Sequence, residues 1–177
     1  MTHSDRPPSR RSAVAPFIAM DVMSAAFARI AKGERIVRME IGEPGASAPK
    51  PVLDAARAAL DSGRIGYTEA LGWRPLRERI AQYYADTHGI DVPASRIAIT
   101  TGSSAGFNLA FLAAFDAGDR VAIASPGYRA YRNILAALGL EVVEIETTAE
   151  TRHAITPAML QRVHAEKPLA GILVASP

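Results

Sequence analysis

The stretch Ile97-Ala-Ile-Thr-Thr-Gly-Ser-Ser-Ala-Gly-Phe-Asn-Leu109 decides how the rest of the chain is read. A short apolar run passes through Gly102-Ser103-Ser104 into a segment in which Phe107, Phe111 and Phe115 recur at four-residue spacing, with Ala110 and Ala114 beside them. That spacing predicts a strand over 97–101, a tight turn, and an amphipathic helix over 104–115. A strand that ends in small residues and opens a helix leaves backbone N–H groups aimed at one spot beside the positive end of the helix dipole, a setting that suits a phosphate. The plainer alternative is an N-cap in which Ser103 or Ser104 bonds the first turn. The turn by itself does not choose between the two.

Downstream, the rhythm predicts a strand over 120–124, a helix over 129–138, a strand over 141–146, a helix over 157–165 and a strand over 169–175. Alternation of this kind belongs to an α/β sheet with helical crossovers. The linkers Asp116-Ala-Gly-Asp119 and Leu138-Gly-Leu140 have the length and composition of helix-to-strand connections. Leu169-Ala-Gly-Ile-Leu-Val-Ala175 is a continuous apolar run, expected of a parallel strand buried on both faces. Upstream, residues 12–33 read as mostly helix, with Gly33 as its stop, and 36–41 as a strand. Gly42-Glu-Pro-Gly-Ala-Ser-Ala-Pro49 is a loop, Pro51 opens a helix through Leu60, and Leu76, Ile80 and Tyr83 or Tyr84 mark a helix ending at His88-Gly89. The expected organisation is a flexible tail over 1–11, an N-terminal arm, small-lobe segment and linker over 12–95, and the first part of a larger α/β domain over 96–177. A chain that stops just past an apolar strand is expected to be a fragment.

Composition bounds the chemistry. The chain has 177 residues, 49% of them hydrophobic and 21% charged, which is enough apolar material for one core and a small second lobe. A net charge of +2 gives no ground for nucleic-acid binding. With no cysteine, disulfides and thiol catalysis are excluded. His3, His88, His153 and His164 show no metal-ligand spacing, so no metal site is expected. No apolar run approaches the roughly 18 residues of a membrane span, and the arginine-bearing first residues lack a secretory signal's apolar core. Cytoplasmic localisation, with no membrane and no nucleic-acid partner, is the expectation.

After the strand Val121-Ala-Ile-Ala124 comes Ser125-Pro-Gly-Tyr128, which presents Tyr128 from the same sheet edge as the Ser103 turn. An aromatic ring there can lie flat on a heteroaromatic ring, a contact worth ~0.5–1.5 kcal/mol beyond burial; the alternative is that Tyr128 and Tyr131 cover a helix end. Together the two loops describe a pocket for a phosphorylated aromatic ring. The order and spacing of Ile41-Gly-Glu-Pro44, Gly66-Tyr-Thr68 with Gly72 and Leu76-Arg77, Thr101-Gly-Ser-Ser104, Phe115 with Gly118-Asp119, and Ser125-Pro-Gly-Tyr128 with Tyr131 resemble the class I/II aminotransferases over residues 14–177. These are fold-type I pyridoxal-phosphate enzymes.

The resemblance implies an α/β fold of the fold-type I PLP-transferase kind, with an incomplete large-domain sheet, helical crossovers and an N-terminal arm and small-lobe segment. It implies pyridoxal 5'-phosphate as cofactor, with Gly102, Ser103 and Ser104 on its phosphate and Tyr128 stacked on its ring. It further implies that Tyr67 reaches the partner subunit's cofactor in a homodimer, and that Gly42 belongs to the segment meeting the substrate carboxylate. Bland readings stand beside these: a loop tyrosine packed on its own lobe, and a glycine turn. The substrates implied are an amino acid and a 2-oxo acid.

No catalytic residue is assigned within the chain. Transamination needs a Schiff-base lysine, and Lys32, Lys50 and Lys167 read as exposed charges outside the family's serine-rich lysine motif. The aspartate, asparagine and arginine that complete such a site are likewise outside the sequence, so the isolated chain is expected to be inactive, with the edge of strand 97–101 left open. The alternatives are another fold-type I reaction, a β-elimination lyase or a synthase, and a non-catalytic truncated or binding product. Arg129 and Arg132, beside the Tyr128 loop, read as helix-start charges.

Overall fold

The computed structural model of the protein describes residues 7–63 and 65–175. The expectation of a flexible tail over 1–11 therefore lies, for residues 1–6, outside the described residues. In chain order the elements are α1 (Ile18–Ile30), α2 (Lys50–Asp61), α3 (Arg74–His88), α4 (Ser103–Ala114), β1 (Arg120–Ser125), α5 (Arg129–Ala137), β2 (Glu141–Glu146), α6 (Pro157–Glu166) and β3 (Gly171–Ile172). Short 3-10 turns stand at Arg10–Ser12, Ala94–Arg96 and Ala149–Thr151. The chain divides into two compact units, residues 7–18 with 101–175, and residues 19–100.

The first unit is α/β. β1, rich in small and β-branched residues, lies between β2 and β3 in a parallel sheet of order β2-β1-β3. Val121 faces Val142 on one side and Gly171 on the other. Helices α5 and α6 lie in the connections that parallel pairing requires. As the central strand, β1 buries Val121, Ala122 and Ile123, while the outer strand β2 exposes Glu141, Glu144 and Glu146 and buries Ile145. The core is Phe111 of α4 with Val121, Ile123, Leu135 and Leu140, supported by half-buried Phe107, Phe115, Ile134 and Leu173. Burying each large aliphatic of this set contributes about 1.5–3 kcal/mol.

Four expectations need correction. The apolar run 169–175 contributes only Gly171–Ile172 to the ladder, and it is buried on one face: Leu173 meets the core while Ile172 and Val174 are exposed. On the second face Ile172 borders a cleft lined by Leu160 and His164 of α6. Residues 97–101 are extended at Ile97 but pair with no strand; their anchor is the Ile99 N–H, which donates to the Leu71 carbonyl at 2.9 Å. Residues 36–41 form no ladder either, and Val37 and Met39 are exposed. An apolar alternation becomes a strand only where a partner satisfies its backbone groups. The helix expected over 12–33 runs only from Ile18 to Ile30, because Pro16 biases Ala15 away from helical dihedrals and lacks the N–H a helix interior needs.

The second unit, residues 19–100, holds α1, α2 and α3. Helix α3 has proline in its first turn and ends at Gly89, whose left-handed backbone (φ 65°) donates its N–H to the Ala85 carbonyl at 3.0 Å. Gly72 is buried here with φ 91°, and a β-carbon at this position would sit 2.5 Å from Ile99 Cβ. The Arg77 guanidinium binds the Gly72 carbonyl at 2.9 Å and that of Ala94 at 3.1 Å, fixing the turn on both sides.

At the amino edge of the sheet, Glu141 accepts from Lys167 at 2.7 Å and from Arg120 at 2.8 Å, and Arg120 also donates to the Lys167 carbonyl. The bonds from Lys167 and then Arg120 hold the Glu141 carboxyl below its ordinary pKa. A carboxylate lowered on folding stabilises the fold above its unfolded pKa and loses that contribution as pH falls through the lower folded value. Glu141→Gln is therefore expected to lower the melting temperature at pH 7, and the difference from wild type should close as the pH drops below about 4.5. Thermal melts across pH 2–7 test this. Gly72→Ala is expected to cost at least about 1–2 kcal/mol for the backbone alone, with the Ile99 clash added; chemical denaturation reads the loss.

Candidate functional site

α4 begins without a side-chain cap. Its N-cap residue, Gly102, holds φ 80° and ψ 167°, a region open essentially to glycine alone. The helix begins at Ser103, so the N-cap position falls on Gly102 and on neither serine. Ser103 and Ser104 are exposed, and the Ser104 carbonyl accepts from the Asn108 side chain at 2.9 Å, within the helix. First-turn N–H groups have no acceptor in their own helix, so a helix start of this kind presents a positive, hydrogen-bonding end.

Tyr128 follows the carboxyl end of β1 and stands as the N-cap residue of α5. The residue is 54% exposed. Phe17 and Tyr131 stand perpendicular to its ring, with centroids 6.3 and 5.2 Å away, and no described ring stacks parallel on it. Tyr131 in turn meets Phe107 of α4 at 4.8 Å, and Phe107 stacks on Phe111 at 5.8 Å. Aromatic contacts thus run from Tyr128 through Tyr131 into the helix that Ser103 opens. Of the two tyrosines, Tyr131 is the packing residue and Tyr128 the one left open.

Beside Tyr128, at the carboxyl ends of β1 and β3, lies a cleft of about 320 Å³. This is the position at which open α/β sheets bind ligands. Its walls include Ile123, Tyr131, Ile155 and Leu173, and its rim carries Arg152 and His153, two consecutive residues with φ near 52° and 56°. These rim residues were not expected to belong to the site; the signal available was the Thr148-Ala-Glu-Thr151 turn, which the structure forms as a reciprocal capping pair.

Gly102, Ser103, Ser104 and Tyr128 thus belong to one unit. Tyr67 and Gly42 belong to the other. Tyr67 is fully exposed, so it is not packed on its own lobe, and the position of a Gly42 β-carbon has no neighbour within 4 Å. Of the lysines, Lys50 pairs with Asp54 and Lys167 with Glu141, both largely exposed, and Lys32 follows α1 on the surface. Arg132 pairs with Glu144 at 3.1 Å. Among the described residues no cluster of His, Asp and Glu could hold a metal ion, and no helix is long and apolar enough to cross a membrane.

Comparison with known proteins gives a consistent result. The family described as aminotransferase class I and II matches residues 34–177. The valine–pyruvate aminotransferase of Mycobacterium tuberculosis is 53% identical over 167 residues, covering 94% of this chain and 42% of that protein. The (5-formylfuran-3-yl)methyl phosphate transaminase of Methanocaldococcus jannaschii is 36% identical, with 76% and 36% covered. Among solved structures, an aminotransferase from Mycobacterium tuberculosis superposes with a TM-score of 0.91 at 52% identity, over 98% of this chain and 44% of that one. The Thermus thermophilus aspartate aminotransferase with maleate gives 0.81 at 33% identity, over 89% and 41%. The chain spans less than half the length of these relatives.

The backbone of Gly102 makes the helix start testable. Gly102→Ala meets no steric neighbour, so its expected cost of about 1–3 kcal/mol is that of the dihedral region alone. A matching fall in denaturation free energy should be measured.

Proposed function

This chain belongs to the class I and II aminotransferase family, and on that premise we propose that it is the N-terminal part of a pyridoxal-phosphate-dependent enzyme. That enzyme moves an amino group between an amino acid and a 2-oxo acid. The observation that carries the reading is the pairing, within one unit, of a glycine-led helix start bearing two exposed serines with a half-exposed tyrosine at the carboxyl edge of a parallel sheet. Both halves fit a phosphorylated aromatic ring: N–H groups and two exposed hydroxyls for the dianion, and an open ring for the heteroaromatic face.

In this reading Gly102, Ser103 and Ser104 hold the phosphate through backbone N–H and hydroxyl donors, and Tyr128 fixes the plane of the ring. When bound, pyridoxal phosphate supplies electron withdrawal from the substrate's Cα and temporary storage of the amino group. Tyr67, exposed on the other unit, would bond the phosphate held by a second subunit of a homodimer. Gly42 would give its backbone to the substrate carboxylate. The amine that exchanges with the substrate is assigned to a lysine outside this chain, since Lys50 and Lys167 are engaged in surface ion pairs and Lys32 lies on the surface. The 177-residue chain alone is accordingly proposed to be inactive, and the whole enzyme to work in the cytoplasm. The 53% identical relative makes valine and pyruvate the first pair to assay.

The test uses the full-length protein. Uptake of pyridoxal phosphate and transfer of the amino group from valine to pyruvate are expected, and Ser103→Ala with Ser104→Ala should weaken cofactor affinity about ten-fold or more, as loss of hydrogen bonds to a charged group does. Failure to take up the cofactor would overturn the reading. A stoichiometric borohydride-stable adduct on Lys32, Lys50 or Lys167 of the isolated chain would overturn the claim of inactivity.

A further inference from the structure

Among the described residues Thr147 is the buried polar residue of the α/β unit, only 6% exposed, and it lies just past the end of β2. Both its donors go to one acceptor. Its backbone N–H meets the Ser125 carbonyl at 2.8 Å and its hydroxyl meets the same oxygen at 3.1 Å. Ser125 is the last residue of β1, paired with Glu146, and only Pro126 and Gly127 separate it from Tyr128. The carbonyl thus held by two hydrogen bonds is where the chain leaves the sheet to present the tyrosine.

An anchor works only if it is itself fixed. Thr147 leads into a turn that closes on itself: Thr148 and Thr151 cap each other reciprocally, and the His153 N–H returns to the Thr148 carbonyl at 2.9 Å. Arg152 and His153 hold left-handed backbone to make that return. The far side of Tyr128 is held differently, by Phe17, by Tyr131 and by the bond from the Tyr131 N–H to the Tyr128 carbonyl at 3.1 Å. The ring is therefore braced by aromatic edges on one side and by a hydrogen-bonded strand exit on the other. Polar side chains are rarely buried unless they make a specific bond, and here that bond is spent on a strand end.

We propose that Thr147 is a positioning residue: by clamping the Ser125 carbonyl it sets the orientation of Tyr128, and through Tyr128 the stacking of the cofactor ring. This rests on the functional reading above for its last step only. Thr147→Val keeps the shape and removes the hydroxyl donor, and Thr147→Ser keeps the donor.

The experiment is made on the full-length protein with two readouts. In the cofactor-free protein, ring resonances of carbon-13-labelled tyrosine, assigned through Tyr128→Phe, should shift or broaden at Tyr128 in Thr147→Val and return to the wild-type position in Thr147→Ser. In titrations with pyridoxal phosphate, Thr147→Val should weaken affinity about five-fold, the worth of one ordinary hydrogen bond. It should weaken it no further when Tyr128 is already alanine. A purely structural role would lower affinity equally in both backgrounds and would overturn the proposal, as would an unmoved Tyr128 signal or a Thr147→Ser variant that behaves like valine. Should Thr147→Val fail to fold, Thr147→Ala replaces it under the same criteria. If the wild-type protein takes up no cofactor, the functional reading falls, and the Tyr128 signal still decides for or against the clamp.

Discussion

A polar backbone can be buried only if its N–H and C=O groups are bonded, and β1 is where this chain meets that constraint from both sides. Val121 and Ala122 are 1% and 0% exposed because β2 and β3 flank them in register. The core gathers there: Phe111, Leu135 and Leu140 cluster with Val121 and Ile123. The same constraint governs the segments that do not become strands. Residues 36–41 and 97–100 have apolar residues in strand-like number, yet they stay outside any ladder among the described residues.

The candidate site is a consequence of that central strand. Parallel strands all release their chain at one edge, so β1 delivers Ser125 and the following turn to the side where open sheets carry ligands. Tyr128 is then held from two directions, through Tyr131 to Phe107 in α4 and through Ser125 to Thr147 past β2. The helix that begins at Ser103 and the tyrosine that follows β1 lie far apart in sequence, and ring contacts from Tyr128 through Tyr131 to Phe107 connect the two elements. Apolar packing here fixes polar geometry.

The unit of residues 19–100 is built by other means. Its close contact is the approach of Gly72 to Ile99, while Val37, Met39, Leu60, Ile65 and Trp73 remain exposed. Tyr67 projects from the same unit with its ring in solvent. The two units thus differ in what stabilises them, one by a buried sheet and the other by turns and helix ends.

Much of this was legible from local pattern. Phe107, Phe111 and Phe115 marked α4, the Val-rich run marked β2 at 141–146 to the residue, and Gly89 marked the end of α3, because helix period, alternation and left-handed caps are properties of a few neighbouring residues. The motifs led by Gly102 and Tyr128 stood out in the sequence for the same reason, and so did the family. Pairing was not legible. Whether 36–41, 97–101 or 169–175 becomes a strand depends on a distant partner, and no local pattern names that partner. Nor could local pattern show that Tyr131 packs on Phe107 while Tyr128 is left open, or that Thr147 would spend both donors on Ser125. Periodicity fixes which face of an element is apolar; only the tertiary structure decides what that face meets, because burial and hydrogen bonding are satisfied between segments far apart in the chain.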